Sequence, residues 1–257
     1  MATPNRKVLD ISHWNTVSDW AAVKNAGVIG IIHKATEGTS YKDPNYDGAR
    51  KAAQSVGLMW GAYHFANGSD PKKQADFFLG VADLDNNFLY ALDWEDDPGG
   101  DTMTGGQART FIEHLEKNIG EKRTVIYSGN TAKEALGSYK DTFFGARRLW
   151  LAQYSTDPKP QVSWDDWWLW QYSDGQNGPQ PHGCPGVSGD VDTNSYDGND
   201  HQLRIEWPNG KIAPVPPPVP VPAVAAVNMK LAATGNVVVT INDIVVWPPH
   251  RRNPRQG

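Results

Sequence analysis

Five times between residues 7 and 139 a short apolar, β-rich run is followed by a segment with helical spacing. The runs are KVLDIS (7–12), VIGIIHKA (28–35), LMWGAYHF (58–65), NFLYALDWE (87–95) and TVIYSG (124–129). The segments after them are SDWAAVKNAG (18–27), DPNYDGARKAAQSVG (43–57), DPKKQADFFLGVAD (70–83), TGGQARTFIEHLEKNIG (104–120) and NTAKEALGSY (130–139). Near-continuous apolar strands are covered on both faces, and their alternation with amphipathic helices predicts a parallel sheet. The punctuation agrees. Ser18 or Asp19 can cap the first helix and Gly27 can close it. Asp-Pro pairs at 43–44 and 70–71 open the second and third helices, and Gly57 ends the second.

After residue 140 the rhythm changes. RRLWLAQYS (147–155), DDWWLWQYS (165–173) and SGDVDTNSYDG (188–198) read as strands joined by loops. Five strand–helix units and three terminal strands predict an α/β fold, an irregular TIM-like (β/α)5β3 barrel over residues 1–207. From Pro208 the composition shifts. APVPPPVPVPAVAAV (213–227) is a polyproline-type spacer within a linker expected over 208–227. The remaining short tail, 228–257, holds two β-branched runs about a turn, a possible β-hairpin too small to stand alone.

Charge limits the partners. The chain carries 24 basic and 29 acidic side chains, a net −5. Residues 208–257 hold five basic groups and one acid, so the body is −9. An acidic body argues against nucleic acid as the main partner. The single cysteine, Cys184, excludes an internal disulfide and a cysteine-based zinc site. No apolar run is long enough to span a membrane. The first strand begins within a few residues of Met1, which leads us to expect no signal peptide. The 11 tryptophans are many for 257 residues and suggest flat ligands such as sugar rings, beside their ordinary place in a core.

In such barrels the working groups sit at the carboxyl ends of the strands. There the sequence places Asp10, Lys34 and Glu37, Tyr63 and His64, Asp93 and Glu95, Tyr127, Gln153 and Tyr154, Trp170 to Tyr172, and Asp190 with Asp192. Any one of these can be a loop anchor or a helix cap. Asp10, Asp93, Glu95 and Asp192 together put four acids at one mouth, which a fold tolerates only with compensation or for a use. Residues i and i+2 of a strand face the same way, so Asp93 and Glu95 share a face and Trp94 points opposite. Paired acids raise each other's pKa, so one stays protonated while the other ionises. Glycosidic cleavage needs that pair. Other chemistries lack their motifs: there is no His-Glu-x-x-His, no Gly-x-Ser-x-Gly and no Gly-x-x-x-x-Gly-Lys. DVDTNS (190–195) begins like a calcium loop but has neither the glycine at position six nor the glutamate at twelve.

Six pieces, in order, resemble the glycoside hydrolase family 25 (Chalaropsis-type) lysozymes, the N-acetylmuramidases. They are VLDISHWN at the first strand, HKATEGTSYKDPNY after the second, GAYHF at the third, ALDWE at the fourth, IYSG at the fifth and GDVDTNSYDG at the last. The resemblance covers residues 7 to about 200 and implies the same (β/α)5β3 barrel. It implies cleavage of the β-1,4 bond between N-acetylmuramic acid and N-acetylglucosamine in peptidoglycan, with no cofactor and no metal. By motif, Glu95 is similar to the family's proton donor. Asp93 is similar to the group that stabilises positive charge or orients the substrate's acetamido group. Asp10 and Asp192 are similar to the remaining acids. Tyr63 and Tyr127 match groove-lining aromatics, and Glu37, Tyr154, Trp170 and Gln171 are further strand-end candidates for holding substrate.

Two other readings stay open on the sequence: a non-catalytic carbohydrate-binding barrel, and a chitinase-like hydrolase of another glycan. The expected absence of a leader adds an expectation about biology. It is that of a phage endolysin made in the host cytoplasm and released to the cell wall or periplasm by a separate holin-type permeabiliser.

Overall fold

The computed structural model describes residues 4–208 and, in their backbone, 230–231 and 237–238. Eight strands form the barrel: β1 (Val8–Ile11), β2 (Gly30–Glu37), β3 (Met59–Phe65), β4 (Leu89–Asp93), β5 (Thr124–Ser128), β6 (Leu149–Ala152), β7 (Leu169–Ser173) and β8 (Asp192–Tyr196). β1 to β7 run parallel to one another in sequence order. β8 lies antiparallel between β7 and β1 and closes the ring. The eight-stranded α/β barrel expected from the strand–helix rhythm is the observed fold.

Helices α1 (Trp20–Asn25), α2 (Tyr46–Ser55), α3 (Pro71–Ala82), α4 (Gly105–Ile119) and α5 (Asn130–Leu136) follow the first five strands. Local chemistry starts them where the sequence suggested. Asp19 caps α1 by accepting from the Ala22 N–H, and Asp70 caps α3 by accepting from Lys72 and Lys73. Thr104 and Gln107 form a reciprocal capping box on α4. Pro44 lies just outside α2, whose N-cap is Asn45. A short helix, α6 (Thr142–Gly145), precedes β6, and only loops join β6, β7 and β8 apart from a two-residue ladder of Val187–Ser188 with Thr16–Val17.

Strand alternation sorts the side chains into two layers. Val8, Ile32, Leu89, Ala91, Val125 and Leu169 fill the barrel. Leu9, Ile31, Ala62, Leu92, Ile126 and Leu151 face outward onto Val23, Ala53, Phe78, Phe111 and Leu115 of the helices. Trp94 belongs to this outer layer. It is fully buried, its indole N–H donates to the Met103 carbonyl at 2.7 Å, and its ring stacks on Phe144. The tryptophans are mostly core: Trp60, Trp94, Trp150, Trp164, Trp168, Trp170 and Trp207 are buried, while Trp14 is 83% exposed.

A further helix, α7 (Asp200–Glu206), was not expected from the sequence, although Asn199 and Gln202 form its capping box. It delivers Trp207 into the amino-terminal end of the barrel. There the indole donates to the Trp60 carbonyl at 2.8 Å, and a side chain larger than glycine at position 30, the first residue of β2, would collide with its ring. Trp168 and Tyr196 both donate to the Glu206 carboxylate, at 2.8 and 2.7 Å. The floor is thereby sealed and the other end is left as the mouth.

Among the described residues no helix is long and apolar enough to cross a membrane. The chain divides into units of residues 1–213 and 214–257. In the second, Lys230–Leu231 pairs antiparallel with Val237–Val238. The proline-rich stretch 213–227 lies outside the described residues.

Candidate active site

At the open end, β1 turns Asp10 inward because its neighbours Leu9 and Ile11 belong to the outer layer. Asp10 is 6% exposed and sits in register with Asp192 across β8. The antiparallel course of β8 explains this pairing: its first residue, not its last, stands at the mouth. Gln171 donates through Nε2 to both Asp10 oxygens, at 3.0 and 3.1 Å, and Asn194 donates through Nδ2 to Oδ2 at 2.7 Å. Burial raises the Asp10 pKa, and these bonds, with one from Asp192, oppose the rise. Burial, the Asp10 charge and the bond to Asp10 push Asp192 up to about 9.

β4 ends at Asp93, and Glu95 lies just beyond it. The backbone stays in the ladder through this turn: Trp94 N–H donates to the Tyr127 carbonyl at 2.9 Å, and the Ser128 hydroxyl donates to the Trp94 carbonyl at 2.7 Å. With Trp94 anchored in the outer layer, its two acidic neighbours are turned to the interior. Asp93 is 5% exposed, and its Oδ1 has no hydrogen-bond partner. Burial first, then Glu95, raises its pKa well above the carboxylate range. Burial and the Asp10 charge raise Glu95 to about 7. Lys34, on β2, opposes both shifts. The four acids expected to converge do so, in a mouth that holds protons on buried carboxyls near neutral pH.

The substrate-holding candidates divide. Tyr63 and Tyr127 line the interior beside the acids. Burial pushes both phenols well up, and Asp93 and Glu95 add to the shift. Tyr127 and Tyr154 both donate to the Gln171 Oε1, at 2.9 and 3.0 Å, and Tyr154 is partly open to solvent. Glu37 stands at the rim, paired with Lys34 at 2.5 Å. Trp170 is a correction. Its neighbours Leu169 and Gln171 face inward, so alternation turns Trp170 outward. There it is fully buried against Trp167 and Tyr172, donating to the Gln153 carbonyl at 2.6 Å, and no substrate can reach it. His64 also faces outward, bonded to Thr36 and Gln74.

Three further residues serve the acids, of which only Lys34 stood among the strand-end groups read from the sequence. Asn194 bonds Asp10 directly, Trp150 donates to Asn194 Oδ1 at 2.6 Å, and Lys34 is the cation that acts on the Asp93–Glu95 pair. For Asn194 a signal existed: it follows Asp192 by two and so shares its face.

The family model of glycosyl hydrolases family 25 matches residues 9–180. The chain belongs to that family. Among its relatives is Lysozyme M1 of Streptomyces globisporus, 34% identical in a 209-residue alignment that covers 76% of this chain and 69% of the relative. The lysozyme of Streptococcus phage Cp-1 is 26% identical in a 185-residue alignment that covers 67% of this chain and 52% of that protein. The crystal structure of a bacterial lysozyme from Streptomyces coelicolor superposes with a TM-score of 0.68 at 31% identity, covering 79% of this chain and 97% of that one. The chain is thus a family 25 glycoside hydrolase.

Proposed function

We propose that this family 25 hydrolase is a muramidase that cleaves the β-1,4 bond after N-acetylmuramic acid in peptidoglycan. The observation that carries the reading is the Asp93–Glu95 pair: two acids turned into one mouth, with Glu95 raised to about 7. A carboxyl with that pKa still holds its proton at the pH where it must give it up. Glu95 transfers the proton to the glycosidic oxygen as the C1–O bond breaks. Asp93 stands beside the positive charge that develops on the sugar and orients the acetamido group. Water completes the hydrolysis, adding hydroxyl to C1 and returning a proton to the carboxyl. Asp10 and Asp192 form the wall behind the pair, and Tyr63, Tyr127, Tyr154 and Glu37 border the sugar. The lysozyme names of the relatives support the same substrate.

Borohydride reduction of digested cell walls tests the reading. Muramitol is the expected reduced end. Glucosaminitol, or cleavage of chitin with walls left intact, would move the protein to a different bond or glycan. The intact acid pair disfavours a purely binding barrel.

We also propose an endolysin role, in which the enzyme reaches the wall or periplasm from the host cytoplasm through a separate holin-type permeabiliser. The likeness to a phage lysozyme supports it. Cytoplasmic expression is expected to lyse the host only when the membrane is permeabilised. Lysis without permeabilisation would overturn this route.

A further inference from the structure

The carboxylate of Asp10 is held from two sides by carboxamides, and each carboxamide is itself held. Trp150 donates its indole N–H to Asn194 Oδ1 at 2.6 Å. An indole N–H can only donate, so the Asn194 oxygen must face it and the Asn194 nitrogen must face Asp10. Gln171 is bonded at both ends, its oxygen accepting from two phenols, Tyr127 and Tyr154, and its nitrogen donating to both Asp10 oxygens. Every contact these amides make with Asp10 is an N–H pointing at a carboxylate oxygen. Such bonds favour the ionised form.

The surroundings make this matter. Asp192 faces Asp10 from β8, Asp93 and Glu95 from the end of β4, Lys34 from β2, Tyr63 from β3, Tyr127 from β5, and Tyr154 after β6. Lys34 supplies the positive charge that opposes the shifts of Asp93 and Glu95, and it also serves Glu37. Four carboxylates cannot all ionise beside it.

We propose that Gln171 and Asn194 are positioning residues that hold Asp10 as the ionised member of the acid cluster, and that its charge keeps the proton on Glu95. The relay runs from Trp150, Tyr127 and Tyr154 through the two amides to Asp10, and from Asp10 through space to the general acid. The upward shift of Glu95, which has Asp10 as its largest cause after burial, agrees with this order. So does the Asp10–Asp192 hydrogen bond, which lowers the pKa of Asp10 and raises that of Asp192. The inference rests on Glu95 being the acid.

The test is the pH dependence of kcat/KM on peptidoglycan for Asn194→Leu and Gln171→Leu. Losing N–H donors makes Asp10 easier to protonate. Glu95 then loses a neighbouring charge and gives up its proton earlier. The alkaline limb is expected to move to lower pH by about half a unit to one unit. A double Tyr127→Phe, Tyr154→Phe variant, which unpins Gln171 and leaves both amides in place, gives the same reading if the leucine variants do not fold. A limb that stays put while the rate falls equally at every pH would make the amides merely structural and overturn the proposal. So would a limb that moves to higher pH. A wild-type enzyme without activity on peptidoglycan would instead overturn the muramidase reading.

Discussion

Glu95→Gln is expected to lower kcat on peptidoglycan by on the order of 10³-fold, with KM nearly unchanged. Glutamine keeps the size and hydrogen-bonding reach of the carboxyl but has no acid proton to give to the leaving oxygen. Because Glu95 lies beyond the last residue of β4, the substitution leaves the ladder untouched. The anchors of that turn, the Trp94 indole bond and the Ser128 hydroxyl bond, also remain. The loss should appear in the chemical step, because the interaction removed exists only as the glycosidic bond breaks. The pH profile gives a second readout: the alkaline limb set by a group near 7 should vanish from the residual rate. Undiminished release of reducing ends by the variant would remove Glu95 from the role of acid.

The second large effect is on stability, and it runs opposite to activity. Asp93→Asn is expected to stabilise the protein at pH 8 by on the order of 2 kcal/mol, or roughly 4–8 °C in Tm. Asp93 is buried with an unpartnered oxygen, and burial, Glu95, Asp10 and Asp192 all disfavour its charge. Its folded pKa therefore lies well above the unfolded value of about 3.9. Above that value the unfolded chain releases the proton while the folded chain retains it. Stability is fully present below about pH 4 and declines as pH rises toward the folded pKa. Asparagine has no proton to retain, so its gain should grow with pH and vanish near pH 4. An equal gain at both pH values, or a loss at pH 8, would contradict the charge argument. The variant should also be less active, since a site strained for chemistry is one whose neutralisation steadies the fold.

The sequence was most legible where one residue type can do one thing. Continuous apolar strands between helical segments left little but a parallel barrel, and Asp-Pro and Gly positions marked the helix ends. Asp93 and Glu95 could be read as a pair because a two-residue spacing on a strand needs no knowledge of the rest of the fold. Trp170 and Gln171 show where this stopped. Both stand on β7, and both were candidates for holding substrate. Which of two neighbours faces inward depends on the register of the whole strand, and here Leu169 and Gln171 took the inside. Asn194 was obscured by a run that imitates a calcium loop. Lys34 was visible at its strand end, but only folding brings its amine to the acids of β4. Helix α7 carried a capping signal in Asn199 and Gln202, yet its purpose is a tertiary one, to seat Trp207.

That seat sets a boundary for engineering. Trp207 stops the barrel floor, and the next carbonyl, that of Pro208, is tied to the Arg123 guanidinium at 2.9 Å. Cutting the chain before residue 207 would remove a stopper and flood the apolar interior from the side opposite the acids. A fusion joined directly after residue 208 would leave from the end away from the mouth and keep clear of incoming glycan. The same barrel could therefore be given new cell-wall anchors by exchanging the chain beyond that proline, with the catalytic rim left as it is.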